Sequence, residues 1–271
     1  MREEARKGLR AGWYCTGSVA EIQGTAEVAG LDGNIRIESA GPVWRCVERV
    51  GMDERSLVVR EALGALWIWH PGQRGNCTTP TSTFPLEGFD GFEVAALPPR
   101  SVSTPIERAF CDYFDHWHTR SIHGIPVRDS ECWFENDRCG VEWRARMTPL
   151  HARDGLLGRL RFIPSRSKAT IYGLGLAIDE LSHAGLSFMN VQANTPVHGG
   201  HFEMRVFLAT KPLAGQRRIT RQLLKFIISR IDREIERDIH YWKECETQVQ
   251  PIDFESRRDI ARFRDWCAQL G

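Results

Sequence analysis

Asp112-Tyr-Phe-Asp115-His-Trp-His118-Thr-Arg-Ser-Ile-His123-Gly-Ile-Pro126 sets two carboxylates and three imidazoles close together and closes on a Gly/Pro stop. It reads as one half of a metal site on a helix, within residues 101–126, that Gly124 and Pro126 terminate. His118 and His123 are offset by about 140° on a regular helix of 3.6 residues per turn. The second histidine must therefore sit where the helix loosens. A further ligand has to come from a distant segment, so the fold must carry that segment back to this one.

Downstream, strand-like stretches recur: Cys139-Gly-Val-Glu-Trp-Arg-Ala-Arg-Met147, Ala169-Thr-Ile-Tyr172, Leu186-Ser-Phe-Met-Asn-Val191 and His201-Phe-Glu-Met-Arg-Val-Phe-Leu208. In the last, Phe202, Met204, Val206 and Leu208 alternate onto one face, which implies an antiparallel sheet. From residue 216 to 245 the period becomes helical. Ile219, Leu223, Phe226, Ile227, Ile231, Ile235, Ile239 and Trp242 mark one apolar stripe. Asp238 falls on that stripe, away from the charged flank of Arg233, Glu236 and Arg237. A carboxylate on a buried face costs several kcal/mol unless it is paired, hydrogen-bonded or metal-bound. Residues 259–270 form another short amphipathic helix.

Upstream, residues 1 to about 100 are rich in β-branched and aromatic runs and in loops. Val43-Trp-Arg-Cys-Val-Glu-Arg-Val50 and Leu57-Val-Val-Arg-Glu-Ala-Leu-Gly-Ala-Leu-Trp-Ile-Trp69 read as strands, with Gly64 a break in the second. From Pro71 to Pro99 the chain is rich in Gly, Pro, Thr and Asn, which predicts a connection between two halves.

The whole is ordinary globular material: 271 residues, 42% apolar, 26% charged. No apolar run approaches the ~20 residues that span a bilayer, and the charged start predicts no secretory signal. A cytoplasmic protein is expected. A formal charge of +1 supplies no field for nucleic acid or anionic lipid; the basic stretch between Lys211 and Arg221 reads as a solvated loop and helix start, with a docking patch for an acidic partner protein as the alternative. Eight cysteines without a Cys-x2-Cys pair exclude a zinc ribbon or disulfide scaffold and point to reduced, structural thiols.

Two neutral imidazoles and a carboxylate on one face of Fe(II) leave the opposite positions open for dioxygen and substrate, and His118, His123 and Asp238 supply that set. A zinc hydrolase could use the same ligands with a bound water. His-Glu-x2-His is missing, however, and no general base stands beside the pair. Gly173-Leu-Gly175 lacks phosphate-loop spacing, and no Gly-x-Ser-x-Gly elbow is present. His198 and His201, three residues apart, could touch a metal, but Gly199-Gly200 between them favours a polar hairpin turn. His116, on another side of the turn, is expected to be solvent-facing or structural.

Asp115-x2-His118-x4-His123 resembles the mononuclear iron signature of Rieske-type non-haem iron oxygenases. The likeness continues in Glu61-Ala-Leu-Gly64-Ala-Leu-Trp-Ile-Trp69, which looks like the strand closing the family's Rieske domain. It continues in Thr195-Pro196-Val197 with Arg205-Val206-Phe207. Glu236-Arg-Asp238-Ile-His-Tyr-Trp242-Lys resembles the late helix of the ketosteroid-hydroxylase-like branch, and Ala261-Arg-Phe-Arg-Asp-Trp266 fits the same branch.

The resemblance implies an α+β fold. A helix-grip (START-like) catalytic domain over 101–271, an antiparallel sheet with helices, would follow a connection, 76–100, and a β-rich Rieske remnant, 1–75. It implies mononuclear Fe(II) on His118, His123 and Asp238. Asp115 would be the carboxylate that hydrogen-bonds a ligand histidine and bridges towards an iron–sulfur cluster on a neighbouring chain. Asp112 stands where the family commonly has asparagine.

A Rieske centre needs two cysteines and two histidines. Gly8 and Ala11 stand where a cysteine and a histidine of the second pair belong, although Gly12 and Trp13 remain, and the first pair would lie upstream of Met1. No [2Fe-2S] cluster is expected on this chain. The resemblance implies an oxygenase component that uses O2 to hydroxylate or oxidatively demethylate a hydrophobic cyclic substrate, aromatic or steroid-like. Electrons would come from a Rieske cluster-bearing reductase, ferredoxin or oxygenase subunit, in a homo- or hetero-oligomeric assembly. The competing expectation is a non-catalytic homologue that binds a ligand or pairs with a complete oxygenase subunit.

Overall fold

The computed structural model describes residues 10–22, 25–27, 35–40, 43–50, 52–72, 83–147, 163–183, 185–197, 200–245 and 254–270. Two antiparallel sheets carry it. The first holds β1 (Ala11–Ser18), β2 (Thr25–Glu27), β3 (Ile35–Ala40), β4 (Val43–Val50), β5 (Asp53–Ala62) and β6 (Ala65–Pro71) in the order β1-β6-β5-β4-β3-β2. β6 is buried along its whole length, and its Leu66 and Ile68 pack with Tyr14, Ile35, Ile37 and Cys46 to make this sheet's own core.

The second sheet runs β7 (Glu93–Ala96), β14 (His201–Thr210), β13 (Leu186–Val197), β12 (Leu176–His183), β11 (Ile163–Tyr172), β10 (Arg138–Met147) and β9 (Val127–Phe134), with β8 (Arg100–Val102) also paired to β14. The stretch expected to be a connection thus contributes β7, because Phe207–Thr210 of β14 offers ladder positions that Glu93–Ala96 fills.

One face of the large sheet meets the first sheet. Leu176, Ile178, Val191, Ala193 and Phe207 pack there against Trp13, Trp67, Phe84 and Leu86. The backbones touch at the β11–β12 turn, where Gly12 bridges Gly173. A Cβ on Gly175 would lie 1.9 Å from the Trp13 carbonyl oxygen, so only glycine permits this approach. That accounts for the Gly173-Leu-Gly175 motif.

The other face carries the helices α1 (Ile106–Cys111), α2 (His116–Ser121), α3 (Arg217–Cys245) and α4 (Phe254–Gln269). The alternation read in β14 holds, with Phe202, Met204, Val206 and Leu208 all buried. The α3 stripe is partly corrected. Ile219 and Phe226 are exposed, and Thr220, Leu224 and Ile228 are the buried positions of its first half; the stripe from Ile231 onward faces the core. Cys139 is a core residue. Cys15, Cys46, Cys111, Cys132, Cys139 and Cys267 are free thiols. Among the described residues no helix is long and apolar enough to cross a membrane. Gly8, Cys77 and His198 lie outside the described residues.

Candidate metal centre

The single helix expected over 101–126 is instead α1, a 3-10 turn at Asp112–Phe114, and α2. Asp115 makes the break. Its backbone is extended, and its Oδ1 accepts the His118 backbone N–H at 3.0 Å, so that it caps α2. α2 ends at Ser121, and Ile125 N–H reaches back to the Thr119 carbonyl at 3.1 Å while Gly124 turns at φ +67°. His123 therefore lies outside the helix, in the wrap that follows, and the 140° offset of a regular helix does not separate it from His118.

α3 supplies the distant carboxylate. His118 Nε2 is 2.9 Å from His123 Nε2 and 3.1 Å from Asp238 Oδ1, and His123 Nε2 is 3.0 Å from the same Asp238 oxygen. These are the edges expected for three adjacent ligands of an octahedral cation with bonds of about 2.1 Å, whose neighbouring donors stand about 3.0 Å apart. The donor set also fits: two imidazole Nε2 atoms and one carboxylate oxygen lie 2.9–3.1 Å from one another, and with both imidazoles neutral their Nε2 lone pairs can turn with the carboxylate oxygen towards a single cation. The residues present therefore fit mononuclear Fe(II).

Electrostatics follow from this crowding. Burial resists ionisation of Asp238, but hydrogen bonds from His118 and His123 outweigh it and hold the carboxyl below its usual range. Burial likewise opposes charge on His123, yet Asp238 and Glu234 win and raise it to about 9. Deprotonation of such a histidine is part of what a metal must offset on binding.

Several residues of the site escaped the sequence reading. Glu234 Oε2 is 3.0 Å from His123 Nδ1 and is itself held by Arg237; its signal was the spacing of four from Asp238 on one helix face. Trp242 Nε1 donates to Asp112 Oδ2 at 2.5 Å, and that carboxylate lies 3.6 Å from His118 Nε2. Burial pushes Asp112 up to about 6, against the pull of His118 and Arg108. The Tyr241 ring stands 4.8 Å from the His118 ring. Asp115 meets the backbone of His118, not its ring: among the described residues neither Asp115 Oδ2 nor His118 Nδ1, both buried, has a hydrogen-bond partner.

His116 is buried rather than solvent-facing and groups with Cys132 and Asp259. Ser130 Oγ is 3.0 Å from its Nε2, and Arg258 and Arg262 pair with Asp259. That network is satisfied by its own partners and ties α2 to β9 and α4. An open cleft of about 840 Å3 lined by Thr83, Phe84, Pro85, Asp137, Arg138 and Tyr172 shares no residue with the triad.

An antiparallel sheet gripping a long helix, preceded by a smaller β-rich unit, is the architecture of the α subunits of Rieske-type non-haem iron oxygenases. The family model of the 3-ketosteroid 9α-hydroxylase C-terminal domain matches residues 101–270, and the chain belongs to that family. Dicamba monooxygenase bound to dicamba is similar over 98% of this chain and 97% of its own, with 11% identity and a TM-score of 0.65. NdmA of Pseudomonas putida CBB5 with caffeine is similar over 98% and 92%, with 12% identity and a TM-score of 0.66. The terminal oxygenase of carbazole 1,9a-dioxygenase from Novosphingobium sp. KA1 matches over 98% and 94%, with 14% identity and a TM-score of 0.62. At these identities the likeness is one of fold. No curated protein matches the chain.

Proposed function

We propose that the chain is the oxygenase component of a Rieske-type non-haem iron system. It hydroxylates or oxidatively demethylates a hydrophobic cyclic substrate with O2, and its electrons come from a [2Fe-2S] cluster on another chain. One observation carries this: two imidazole Nε2 atoms and one carboxylate oxygen converge at 2.9–3.1 Å on one side of a common point. His118, His123 and Asp238 would hold Fe(II), which when bound supplies the dioxygen chemistry. The overall monooxygenation consumes two electrons and two protons per O2 and releases water with the oxygenated product.

The chain's own groups do the rest. Asp238 carries the negative charge that favours a dication, and Glu234 fixes the His123 ring from its far side. Apolar side chains on the helix-facing surface of the sheet would hold the substrate and exclude water. Asp115, whose Oδ1 accepts the His118 backbone N–H and whose Oδ2 is buried without a partner among the described residues, would be the group that bridges towards a cluster-bearing partner. The division into a Rieske remnant, 1–75, a connection, 76–100, and a catalytic unit, 101–271, belongs to the same proposal.

The test is turnover of the iron-loaded protein with and without a Rieske cluster protein. Activity is expected only with the cluster donor, and equal turnover with a simple flavin reductase contradicts the electron route. The alternative of a non-catalytic partner subunit is favoured by Gly8 and Ala11 at positions of cluster ligands. It predicts an Asp238→Ala variant that is stabilised and unimpaired in partner binding.

A further inference from the structure

A second carboxylate stands beside the triad. Asp112 opens the 3-10 turn that follows α1, and its side chain is buried. Its Oδ2 lies 3.6 Å from His118 Nε2, the ligand atom itself. The same oxygen accepts the indole N–H of buried Trp242 at 2.5 Å. Its Oδ1 faces Arg108 Nη2 at 3.7 Å, from one turn earlier in the chain. The Arg108 guanidinium in turn lies 5.3 Å over the Tyr241 ring. Trp242 and Arg108 thus hold the carboxyl group, each at one oxygen, with Oδ2 beside the His118 ring.

Asp112 is not one of the three donors. The atoms close enough together to share one ion here are those of His118, His123 and Asp238, without Asp112. Its distance still bounds its influence. An ion about 2.1 Å from His118 Nε2 stands within about 5.7 Å of Asp112 Oδ2, whatever its direction. Across that separation, at an effective dielectric of about 20, one negative charge favours an added positive charge on the ion by roughly a hundredfold. Arg108, a cation in the same neighbourhood, offsets part of this. The hydrogen bond from Trp242 asks for no charge at all, because the amide oxygen of an asparagine also accepts an indole N–H.

Resting on the oxygenase reading above, we infer that Asp112 sets the redox poise of the triad's iron. Its charge, held 3.6 Å from a ligand atom, favours Fe(III) over Fe(II) and so makes the ferrous site a better electron donor. The two states differ by the one electron that passes to dioxygen under that reading. A fixed anion acts on this difference of one charge through its field and needs no contact with the ion. A neutral group in its place also leaves Arg108 uncompensated beside the site. That works in the same direction: affinity falls for both oxidation states, and more for Fe(III).

The test is an anaerobic redox titration of the iron-loaded protein at about pH 8, read by the paramagnetic resonance of Fe(III), for wild type and Asp112→Asn. Asparagine keeps the shape and the acceptor for Trp242. The variant's preference for Fe(III) over Fe(II) should fall at least tenfold, a rise in midpoint potential of about 59 mV or more. An Asp112 that served only the fold predicts no such rise. Arg108→Gln covers an asparagine variant that fails to fold. It removes the neighbouring cation and must move the potential the other way. An unchanged or lower potential in Asp112→Asn, or an unchanged or higher one in Arg108→Gln, overturns the inference while the iron site stands. Folded wild type that holds no iron contradicts the oxygenase reading itself and takes the inference with it, so the two failures are distinct.

Discussion

His123 Nδ1 lies 3.0 Å from Glu234 Oε2, so one imidazole of the triad is held from behind by a carboxylate a single helical turn before Asp238. The hydrogen bond from His123 keeps Glu234 below the usual carboxylate range, and the charged carboxylate in turn orients the ring. Glu234→Gln is expected to weaken Fe(II) affinity by about 10–100-fold while leaving the fold intact. Anaerobic metal titration measures this, and an unchanged dissociation constant contradicts the role.

Asp115 does two separable things. As the cap of α2 it accepts the His118 N–H, and its second carboxyl oxygen is buried without a partner among the described residues. Asparagine caps as well as aspartate, whereas alanine does not. Asp115→Asn should therefore keep stability and iron content but lose donor-dependent turnover, while Asp115→Ala should also lose about 1 kcal/mol of stability. Denaturant unfolding and steady-state turnover separate the two. An Asn variant with full turnover rules out a need for the charge.

Trp242 is the donor that satisfies Asp112 Oδ2 beside the triad. Replacing it by Phe leaves that buried oxygen without a partner, which costs about 1–3 kcal/mol. Urea unfolding of the metal-free protein checks it, and a loss below about 0.5 kcal/mol refutes the hydrogen bond's importance.

The Asp179 carboxyl is raised by burial from 3.8 to about 6. A raised carboxyl stabilises the fold through its protonated form. That contribution is full below 3.8 and is lost as pH climbs through about 6. Asp179→Asn should then be more stable than wild type by about 2 kcal/mol at pH 7.5, with the gain vanishing near pH 4. Unfolding curves at the two pH values decide it, and a gain independent of pH contradicts the burial.

Much of this was legible in the sequence because it is local or periodic. The alternation from Phe202 to Leu208 gave the face of β14, and the stripe through Ile235 and Trp242 put Asp238 towards the core. What stayed hidden depends on how segments meet. The break at Asp115 is a capping event that outweighs helical continuity. Glu93–Ala96 becomes a strand only because β14 offers it an edge. Ile219 and Phe226 look like core by period, yet the start of α3 presents Thr220 and Leu224 to the sheet instead. Trp242 on Asp112 joins residues 130 positions apart, which no local pattern encodes.

The central claim, one mononuclear iron held by His118, His123 and Asp238, is tested most directly by anaerobic reconstitution with Fe(II), removal of loosely bound metal, and metal analysis of wild type beside Asp238→Ala. About one iron per wild-type chain and at least a tenfold lower occupancy in the folded variant is the predicted result. Folded wild type that retains no iron, or an alanine variant that retains as much as wild type, would contradict it.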